Sequence, residues 1–393
     1  MREKLQQHIR PLLARDRHEE HRAATPLELL FDLVIVIAIA AAAHGLSHEI
    51  SAGHIAIGII QFTMAFFAVW WPWNLFTWFA SSFDNDDAGY RINVMVMMFG
   101  AMLVAANLPS FFGEQKLVYG FMGYVIMRLA IAVLWWRAGG ANSHLRITAA
   151  RYTLGQIILQ VGWAIVIFAF EPGSILFFIF FALAAVGELF VPWYAEKAAN
   201  THWHRHHIIE RFGLLNIIVL GEVLLSSTIA LETAFTDDLN ASLLILALCG
   251  TIITFSLWWL YFCEEDHLET VEFKRTFIWG YGHFLVFASG PAVGAGLGVA
   301  IEAIAGEHGA NGHPEIAAFA IALPIALYVV GLWLVRDRYI LRNVDGSFLL
   351  FFAVLIALTG FLPYPPIPAT ILLIICLFVR LRSEKRSQGS EGV

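Results

Sequence analysis

The sequence is poor in charge: only 14% of its 393 residues are Asp, Glu, Lys or Arg, whereas 59% are hydrophobic. Soluble domains carry about 25% charged residues, so the composition excludes an ordinary soluble domain. Cysteine is also scarce, with three residues and no CxxC spacing, which excludes a disulfide framework and a thiolate metal site. Phosphate loops, dinucleotide fingerprints and basic aromatic grooves are absent too. We therefore expect no cofactor and no nucleic-acid partner.

Long hydrophobic runs make up most of the chain. A helix crosses the ~30 Å hydrocarbon core of a bilayer with about 20 residues. Runs of this kind lie at residues 27–46, 54–80, 93–112, 117–137, 153–170, 174–194, 210–231, 241–263, 276–302, 315–336, 346–362 and 366–382. The sequence predicts an all-α, polytopic transmembrane helical bundle of about 12 spans. Because the last two runs are short, a re-entrant pair, and hence ten spans, is the alternative.

Basic residues mark alternate loops between these runs. Lys and Arg accumulate on the cytoplasmic side of short loops, and nearly all of the 24 Lys and Arg residues fall in alternate segments, beginning with the amino end. This pattern predicts that both termini are cytoplasmic. Most tryptophans lie in the predicted cytoplasmic half, where they are interpreted as interfacial anchors.

A weak internal repeat is visible in the chain. Trp70 and Trp71 of the second run match Trp258 and Trp259 of the eighth, and two halves of six spans would share one orientation. Chance similarity between apolar segments is the alternative. The predicted segments are a cytoplasmic amino-terminal segment at residues 1–25, transmembrane repeats at 26–194 and 210–382, a His-rich cytoplasmic loop at 195–209, and a cytoplasmic tail at 383–393.

The first run carries two acids. Glu28 and Asp32 are four residues apart, so a helix places both carboxylates on one face. Acids this close repel each other, and near hydrocarbon at least one should hold a proton at neutral pH. The pair can therefore bind and release a proton or a small cation. For Glu28 the alternative is a first-turn residue favoured by the helix dipole, whereas Asp32 lies one turn deeper and is the stronger candidate.

The seventh run carries a second set of polar residues. It begins with Glu210 and Arg211, continues with Asn216, and reaches Glu222 about 18 Å beyond Glu210 along the helix. Glu222 should therefore lie near the middle of the bilayer, where Gly221 beside it would allow a neighbouring helix to approach closely. The alternative is a protonated Glu222 that serves only in helix packing.

Three further candidates lie inside other runs. Arg128 is the only basic residue deep within a predicted span, away from the span ends, and it should pair with one of the acids because an unpaired guanidinium there is costly. Structural pairing and substrate contact are both open for it. Glu188 lies nearer the cytoplasmic interface, so an idle role is equally open. His283 fits a proton relay, with a hydrogen-bonded core histidine as the alternative.

Two polar clusters lie in predicted cytoplasmic loops. Asp84, Asp86 and Asp87 are weak candidates for a hard cation, because the stretch lacks the Gly and Glu of a calcium loop. The favoured alternative is a turn in which an Asp caps the next helix and Arg91 pairs with the acids. The second cluster is interpreted as a solvated loop rather than a metal site, since no nearby cysteine completes one; it contains His202, His204, His206 and His207.

Four segments are distinctive when taken together. They are ELLFDLVIVIAIA from Glu28, WNLFTWFASSFDNDDAGYR, ERFGLLNIIVLGE from Glu210, and WWLYF from Trp258. In combination they resemble the low temperature requirement protein A family of bacterial membrane proteins. The resemblance covers most of the chain and implies a multi-pass protein of the bacterial cytoplasmic (inner) membrane. It supplies no reaction, because the family name describes a growth phenotype.

The intramembrane carboxylates favour a secondary transporter or a proton/ion-coupled permease, with a polar interior lined by spans one, six, seven and nine. In this hypothesis Asp32 and Glu222 exchange a proton or cation. Arg128 and the Glu210–Arg211 pair hold an ion pair or an anionic substrate group. The partners are the lipid bilayer and a small-molecule or ion substrate, and a homo-oligomer is compatible. The alternative is a membrane-embedded lipid-handling enzyme using the Asp-rich loop, although no nucleophile and base are arranged for it.

Overall fold

The computed structural model of the protein is helical. It describes residues 10–15, 23–83, 85–236, 239–264, 268, 272–305, 314–341, 347–362, 364 and 366–390, and these residues contain no strand. The helices longer than ten residues are α1 (Pro26–Ser51), α2 (Ile55–Phe83), α3 (Ala88–Glu114), α4 (Val118–Ala141), α5 (Arg146–Ala169), α6 (Ile175–Glu196), α7 (Arg205–Thr236), α8 (Ala241–Phe262), α9 (Phe273–Ala305), α10 (Pro314–Leu332), α11 (Phe348–Leu358) and α12 (Pro366–Ser390).

Within the described residues, eleven helices are long and apolar enough to cross a membrane. This confirms the predicted polytopic helical bundle. The exception among the twelve predicted runs is α11, which with its final turn covers only Phe348–Phe361. At ~1.5 Å per residue this segment extends about 20 Å, less than the ~30 Å hydrocarbon core. The side of the membrane on which each terminus lies stays a prediction.

The chain divides into two compact units. The first comprises Met1–Ala41 and Phe67–Arg211, and the second comprises Ala42–Phe66 and Phe212–Val393. The divisions fall inside α1, α2 and α7, so these three helices contribute residues to both units. The internal repeat proposed from the sequence stays a prediction.

Local sequence signals fix the start of α1. Thr25 and Glu28 form a capping box, in which Thr25 N donates to Glu28 Oε2 at 2.7 Å and Glu28 N donates to Thr25 Oγ1 at 3.3 Å. Pro26 occupies the first helical position, where the missing N–H has no helical partner to lose. The box holds the Glu28 side chain against the helix entrance. Glu28 is thus the first-turn residue that the sequence allowed, and it is also fully buried.

Helix α7 begins at Arg205, five residues before the predicted start of the seventh span. His207 therefore lies inside the helix and is fully buried. The solvated-loop interpretation is wrong for His207. The reason is helical spacing, because His207 precedes Arg211 by four residues and shares its buried face.

Glycines permit the closest approach between helices in each unit. In the first unit, a Cβ added at Gly100 of α3 would lie 2.6 Å from the carbonyl oxygen of Gly123 in α4. In the second unit, a Cβ added at Gly296 of α9 would lie 2.1 Å from the carbonyl oxygen of Ala320 in α10. Backbone atoms cannot retreat as a flexible side chain can, so these positions require glycine.

Gly221 is not a point of close helix packing, although the sequence predicted that it would be. Nothing lies within 4 Å of a Cβ added there, so the expected close approach at Gly221 is wrong. The close contact beside Glu222 comes instead from Gly294 of α9, where a Cβ would lie 3.0 Å from Glu222 Cγ. Ser226 Oγ, one turn further along α7, donates to Gly294 O at 3.0 Å.

This difference predicts opposite effects for two matched substitutions. Gly296→Ala should lower the free energy of unfolding by about 1–3 kcal/mol, because the new methyl group overlaps a backbone carbonyl. Gly221→Ala should be neutral or stabilising by up to ~1 kcal/mol, since alanine favours helix and meets no neighbour. Thermal unfolding of both variants in one detergent measures the difference, and equal losses would contradict the packing described.

Candidate functional site

One polar cluster of the first unit joins both acids of α1 to the start of α7. Arg211 Nη2 donates to Asp32 Oδ1 at 2.5 Å, and Arg211 Nη1 lies 3.0 Å from Glu28 Oε1. His207 Nε2 lies 3.1 Å from the same Glu28 oxygen, and Trp73 of α2 donates its indole N–H to Asp32 Oδ1 at 2.7 Å. The five side chains, here called the Arg211 cluster, are all fully buried.

The Arg211 cluster holds two acids against one permanent cation. With His207 neutral, the formal charges of Glu28, Asp32 and Arg211 sum to one negative charge, and a net charge in so buried a site is costly. One bound proton or one small cation brings that sum to zero. Asp32 Oδ2 accepts no hydrogen bond from any residue that the structure describes, so it is the open oxygen of the cluster.

Glu210 does not join this cluster. Its side chain is exposed, and Oε1 accepts a hydrogen bond from Ala24 N at 3.3 Å. Consecutive residues of a helix point about 100° apart, so the buried direction taken by Arg211 turns Glu210 outward. The sequence hypothesis that Glu210 and Arg211 act together is therefore corrected: Arg211 pairs with the acids of α1 instead.

A second cluster of the first unit surrounds Glu188 of α6. Arg128 Nη2 and Trp71 Nε1 donate to Glu188 Oε2 at 2.5 and 3.1 Å. The Tyr124 hydroxyl and Trp163 Nε1 donate to Oε1 at 2.9 and 3.0 Å. Each carboxylate oxygen therefore accepts two hydrogen bonds, and these donors replace water around the charge. The expected acidic partner of Arg128 is Glu188, and we call these five side chains the Glu188 cluster.

Buried tryptophans of α2 serve both clusters. Trp70, Trp71 and Trp73 are at most 1% exposed, so the interfacial-anchor interpretation is wrong for them. The indole N–H group can only donate a hydrogen bond and carries no charge. It therefore suits a site that must hold a carboxylate. Trp71 and Trp73 lie two residues apart and point to roughly opposite sides of α2. Helix α2 thus supports the Glu188 cluster on one side and the Arg211 cluster on the other.

The candidates of the second unit on α7 differ in their surroundings. The Glu222 carboxyl is half-buried, and within the described part of the chain it has no hydrogen bond or ion pair. Asn216 is fully buried, and its Oδ1 accepts a hydrogen bond from the Tyr328 hydroxyl at 2.8 Å. Glu222 is therefore a carboxyl without a built partner, whereas Asn216 has a fixed one.

His283 of α9 matches the core-histidine alternative. Its Nδ1 lies 2.7 Å from Trp279 O, and its Nε2 lies 3.2 Å from the Tyr261 hydroxyl. A carbonyl oxygen can only accept, so Nδ1 carries the proton, and in the neutral ring Nε2 accepts from Tyr261. Both ring nitrogens are thus engaged in structural contacts.

The Asp-rich turn uses its carboxylates to fix helix ends. Asp87 Oδ1 caps α3 through Tyr90 N at 2.6 Å, and Oδ2 pairs with Arg137 at 2.6 Å. Asp86 pairs with Arg91 through contacts of 2.8 and 2.5 Å. Asp84 lies outside the described residues, and among those described no group of three or more His, Cys, Asp or Glu could hold a metal. The capping alternative therefore describes this turn.

The comparisons with known proteins agree with the motifs in the sequence. Residues 23–381 match the family model of the bacterial low temperature requirement A protein (LtrA). The chain belongs to the LtrA family. An uncharacterized protein of Rhizobium meliloti (strain 1021) is 26% identical over 346 residues, which cover 82% of this chain and 80% of the relative. No solved structure matches the chain. Family membership and the many apolar helices make this LtrA chain a multi-pass integral membrane protein.

Some residues that pair with the buried acids of this LtrA chain were not predicted from the sequence. His207 carried a usable signal, because it precedes Arg211 by four residues on the same helical face. Trp73 carried none, since nothing in its spacing relates it to Asp32. In the second unit, buried Asp337 accepts from Arg336 Nη2 and Arg380 Nε, each at 2.7 Å. Neither arginine was a candidate from the sequence, although the acid directly after Arg336 was a usable signal for a buried pair.

Hydrogen bonds lower the pKa of both acids at the turn before α3 of the LtrA chain. Burial alone would raise the pKa of Asp87, but donors from Arg137 and from the backbone N–H groups of Tyr90 and Arg10 outweigh it, so the pKa lies below the ordinary 3.8. For Asp86 the hydrogen bonds from Arg91 lower the pKa. Because the folded pKa of Asp87 is depressed, its stabilisation is present above the unfolded value and is lost as pH falls through the folded value.

Asp87→Asn should therefore lower stability at neutral pH by about 1 kcal/mol, since the amide can still cap α3 but cannot pair as an anion with Arg137. The difference from the parent should shrink as the pH falls below 3.8. Thermal unfolding across that pH range measures it. Asp86→Asn, at a 52% exposed side chain, is the control with a small effect, and a pH-independent loss for Asp87→Asn would contradict the assignment.

The Glu188 cluster predicts strong coupling between its two ions. Arg128→Leu should destabilise the LtrA fold by about 3–5 kcal/mol, because it leaves a buried carboxylate without its cation. The double variant with Glu188→Leu should lose less than the two single losses added together. Arg91→Leu removes an exposed ion pair and should cost under ~1 kcal/mol. Unfolding of these four variants and the parent in one detergent tests this, and additive losses would contradict the pairing.

Proposed function

We propose that this LtrA protein is a secondary transporter, a proton- or cation-coupled permease, in which the Arg211 cluster is the coupling site. One observation carries the proposal: the Arg211 guanidinium contacts two fully buried carboxylates, and Asp32 keeps one oxygen without a donor among the described residues. Intramembrane acids of this kind mark proton and ion pathways. A purely structural pair would be expected to satisfy both oxygens.

The charge balance within the five side chains of the Arg211 cluster suggests the stoichiometry of this proposal. With His207 neutral, Arg211 balances one of the two carboxylates, and a single proton or small cation balances the other. A conformational change that moves the cluster within the membrane costs less free energy when the cluster is neutral than when it carries one uncompensated charge. Asp32 Oδ2 is the atom that takes up the proton or faces the cation. His207, beside Glu28, is a titratable group that can pass a proton on.

Glu222 is proposed as the second exchanging carboxyl. It is half-buried in a membrane-spanning helix and has no built partner among the described residues, whereas Glu188 is held by four donors. Exchange requires a carboxyl that is stable in both protonation states. Glu188 does not meet this requirement, because its four donors stabilise the anion. In this proposal Glu188 therefore has a structural role.

Proteoliposomes that contain a pH-sensitive dye or a sodium-sensitive dye test the coupling. Pools of amino acids, sugars, nucleosides and osmolytes are added outside, and at least one pool should change the internal pH or the internal sodium concentration through the parent protein. Asp32→Asn should abolish the change, because the amide cannot exchange a proton. Replacing sodium with choline in the buffer then separates proton coupling from sodium coupling.

Glu210→Gln is the matched control. This exposed carboxyl neighbours Arg211 in the chain but lies outside the cluster, so the variant should transport as the parent does. The proposal fails if no pool moves protons or sodium through the parent protein. It also fails if the Asp32→Asn protein, folded as judged by thermal unfolding, keeps the parent's coupled flux.

A further inference from the structure

Polar atoms without partners concentrate on α4 and α5 of the first unit. Arg128 is 1% exposed, yet its Nε and Nη1 have no acceptor among the described residues. Gln156 is fully buried, and within that same part of the chain neither its Oε1 nor its Nε2 is hydrogen-bonded. Gln160 is 7% exposed; its Nε2 donates to Gln156 O at 3.4 Å, and its Oε1 is without a described donor. Three buried side chains therefore share a deficit of partners.

The packing of α4 against α5 places Arg128 and Gln156 at about the same position along the two helix axes. Thr153 Oγ1 of α5, which donates to Ala149 O at 2.9 Å, lies 3.4 Å from Ala132 O of α4. The two helices are consecutive and joined by a short turn, so they run in opposite directions. One turn forward from Thr153 is Gln156, and one turn back from Ala132 is Arg128. Both side chains are buried within the same unit at this level.

The packing of α5 against α6 adds Gln160 to the same region. A Cβ added at Gly187 of α6 would lie 2.9 Å from Leu159 Cδ2 of α5, so Glu188 and Gln160 are neighbours in height. Trp163, one turn beyond Gln160, reaches Glu188 with its indole N–H. Gln156 and Gln160, one turn apart on α5, thus lie close in depth to Arg128 and Glu188.

These atoms require a partner in the working protein. Buried polar groups in folded proteins are almost always hydrogen-bonded, and the exceptions call for an explanation such as a bound species. Leucine would fill either glutamine position of an apolar helix with no unmet hydrogen bonds. The unmet atoms are Arg128 Nε and Nη1, Gln156 Oε1 and Nε2, and Gln160 Oε1, and together they exceed what one water molecule can satisfy. A small solute that carries both donors and acceptors fits this set.

Charge decides the class of that solute. The positive charge of Arg128 is already balanced by Glu188, and both Glu188 oxygens are occupied by donors. An anion would leave one uncompensated negative charge in a buried site, and a cation would leave one positive charge. Only a solute without net charge keeps the site neutral.

We propose that Arg128, Gln156 and Gln160 form a binding site for a small, net-neutral, hydrogen-bonding solute. An acceptor group of the solute, such as a carbonyl or hydroxyl oxygen, faces Arg128 Nε and Nη1, and the two glutamines bind its remaining donors and acceptors. Glu188 positions Arg128 and does not touch the solute. This inference rests on the proposed function, for which it names the class of transported substrate.

Thermal unfolding of the full chain in lipid nanodiscs tests the site. The neutral probes are acetamide, glycerol and myo-inositol, and the charged probes are acetate and methylammonium. At least one neutral probe should raise the unfolding midpoint by about 2 °C through binding to the folded state, and neither charged probe should do so. The double variant Gln156→Leu with Gln160→Leu should lose that response.

The same double variant separates a binding role from a structural one. Its midpoint without any probe should equal or exceed the parent's, because leucine removes buried polar groups that lack partners. The control Thr153→Val, one turn away on α5, should keep the probe response. The inference is overturned if the probe-free double variant is less stable than the parent, if a charged probe replaces the neutral ones, or if no probe shifts the midpoint.

The solute-site proposal and the coupling proposal can be contradicted separately. A neutral-probe response in a protein that moves no proton or sodium in liposomes contradicts the coupling proposal alone. Coupled flux in a protein that shows no neutral-probe response contradicts the solute site alone. Asp32→Asn should keep the probe response, because Asp32 belongs to the Arg211 cluster and not to this site.

Discussion

A carboxylate buried between membrane helices must obtain hydrogen-bond donors from the protein, because lipid offers none. Glu188 meets this demand in full, with two donors on each oxygen. Asp32 meets it on one oxygen, through Arg211 and Trp73, and leaves the other open within the described structure. The proposed roles follow from that contrast. Glu188, with donors on both oxygens, holds helices and an arginine in place, whereas Asp32, with one oxygen open, exchanges charge.

Much of this arrangement could be predicted from the sequence, because it follows from local properties. Apolar length predicts spans, and eleven helices have the necessary length. Four-residue spacing places Glu28 and Asp32 on one helical face. The cost of an isolated buried guanidinium predicted an acidic partner for Arg128. Composition, spacing and burial cost are all readable without knowing which helices meet.

The rest depends on tertiary contacts that no spacing encodes. Glu188, rather than another acid, pairs with Arg128 because the fold of the first unit brings these two side chains, from α6 and α4, within hydrogen-bond distance. Trp73 reaches Asp32 across 41 residues of sequence. The close approach beside Glu222 comes from Gly294 of another helix rather than from Gly221. Each outcome reflects which faces pack together, and apolar runs of similar composition do not specify that choice.

The central claim is that Asp32 exchanges a proton or cation whereas Glu188 does not. Infrared difference spectra between acidic and alkaline samples test this most directly, since a carboxyl group that gains a proton shows a carboxylic-acid C=O band. Such a band should appear in the parent protein and in Arg91→Leu. Asp32→Asn should remove the part of the band that comes from Asp32 and leave the part from Glu222, and Glu188→Gln should remove nothing. An unchanged band in Asp32→Asn, or a band that vanishes only in Glu188→Gln, would contradict the claim.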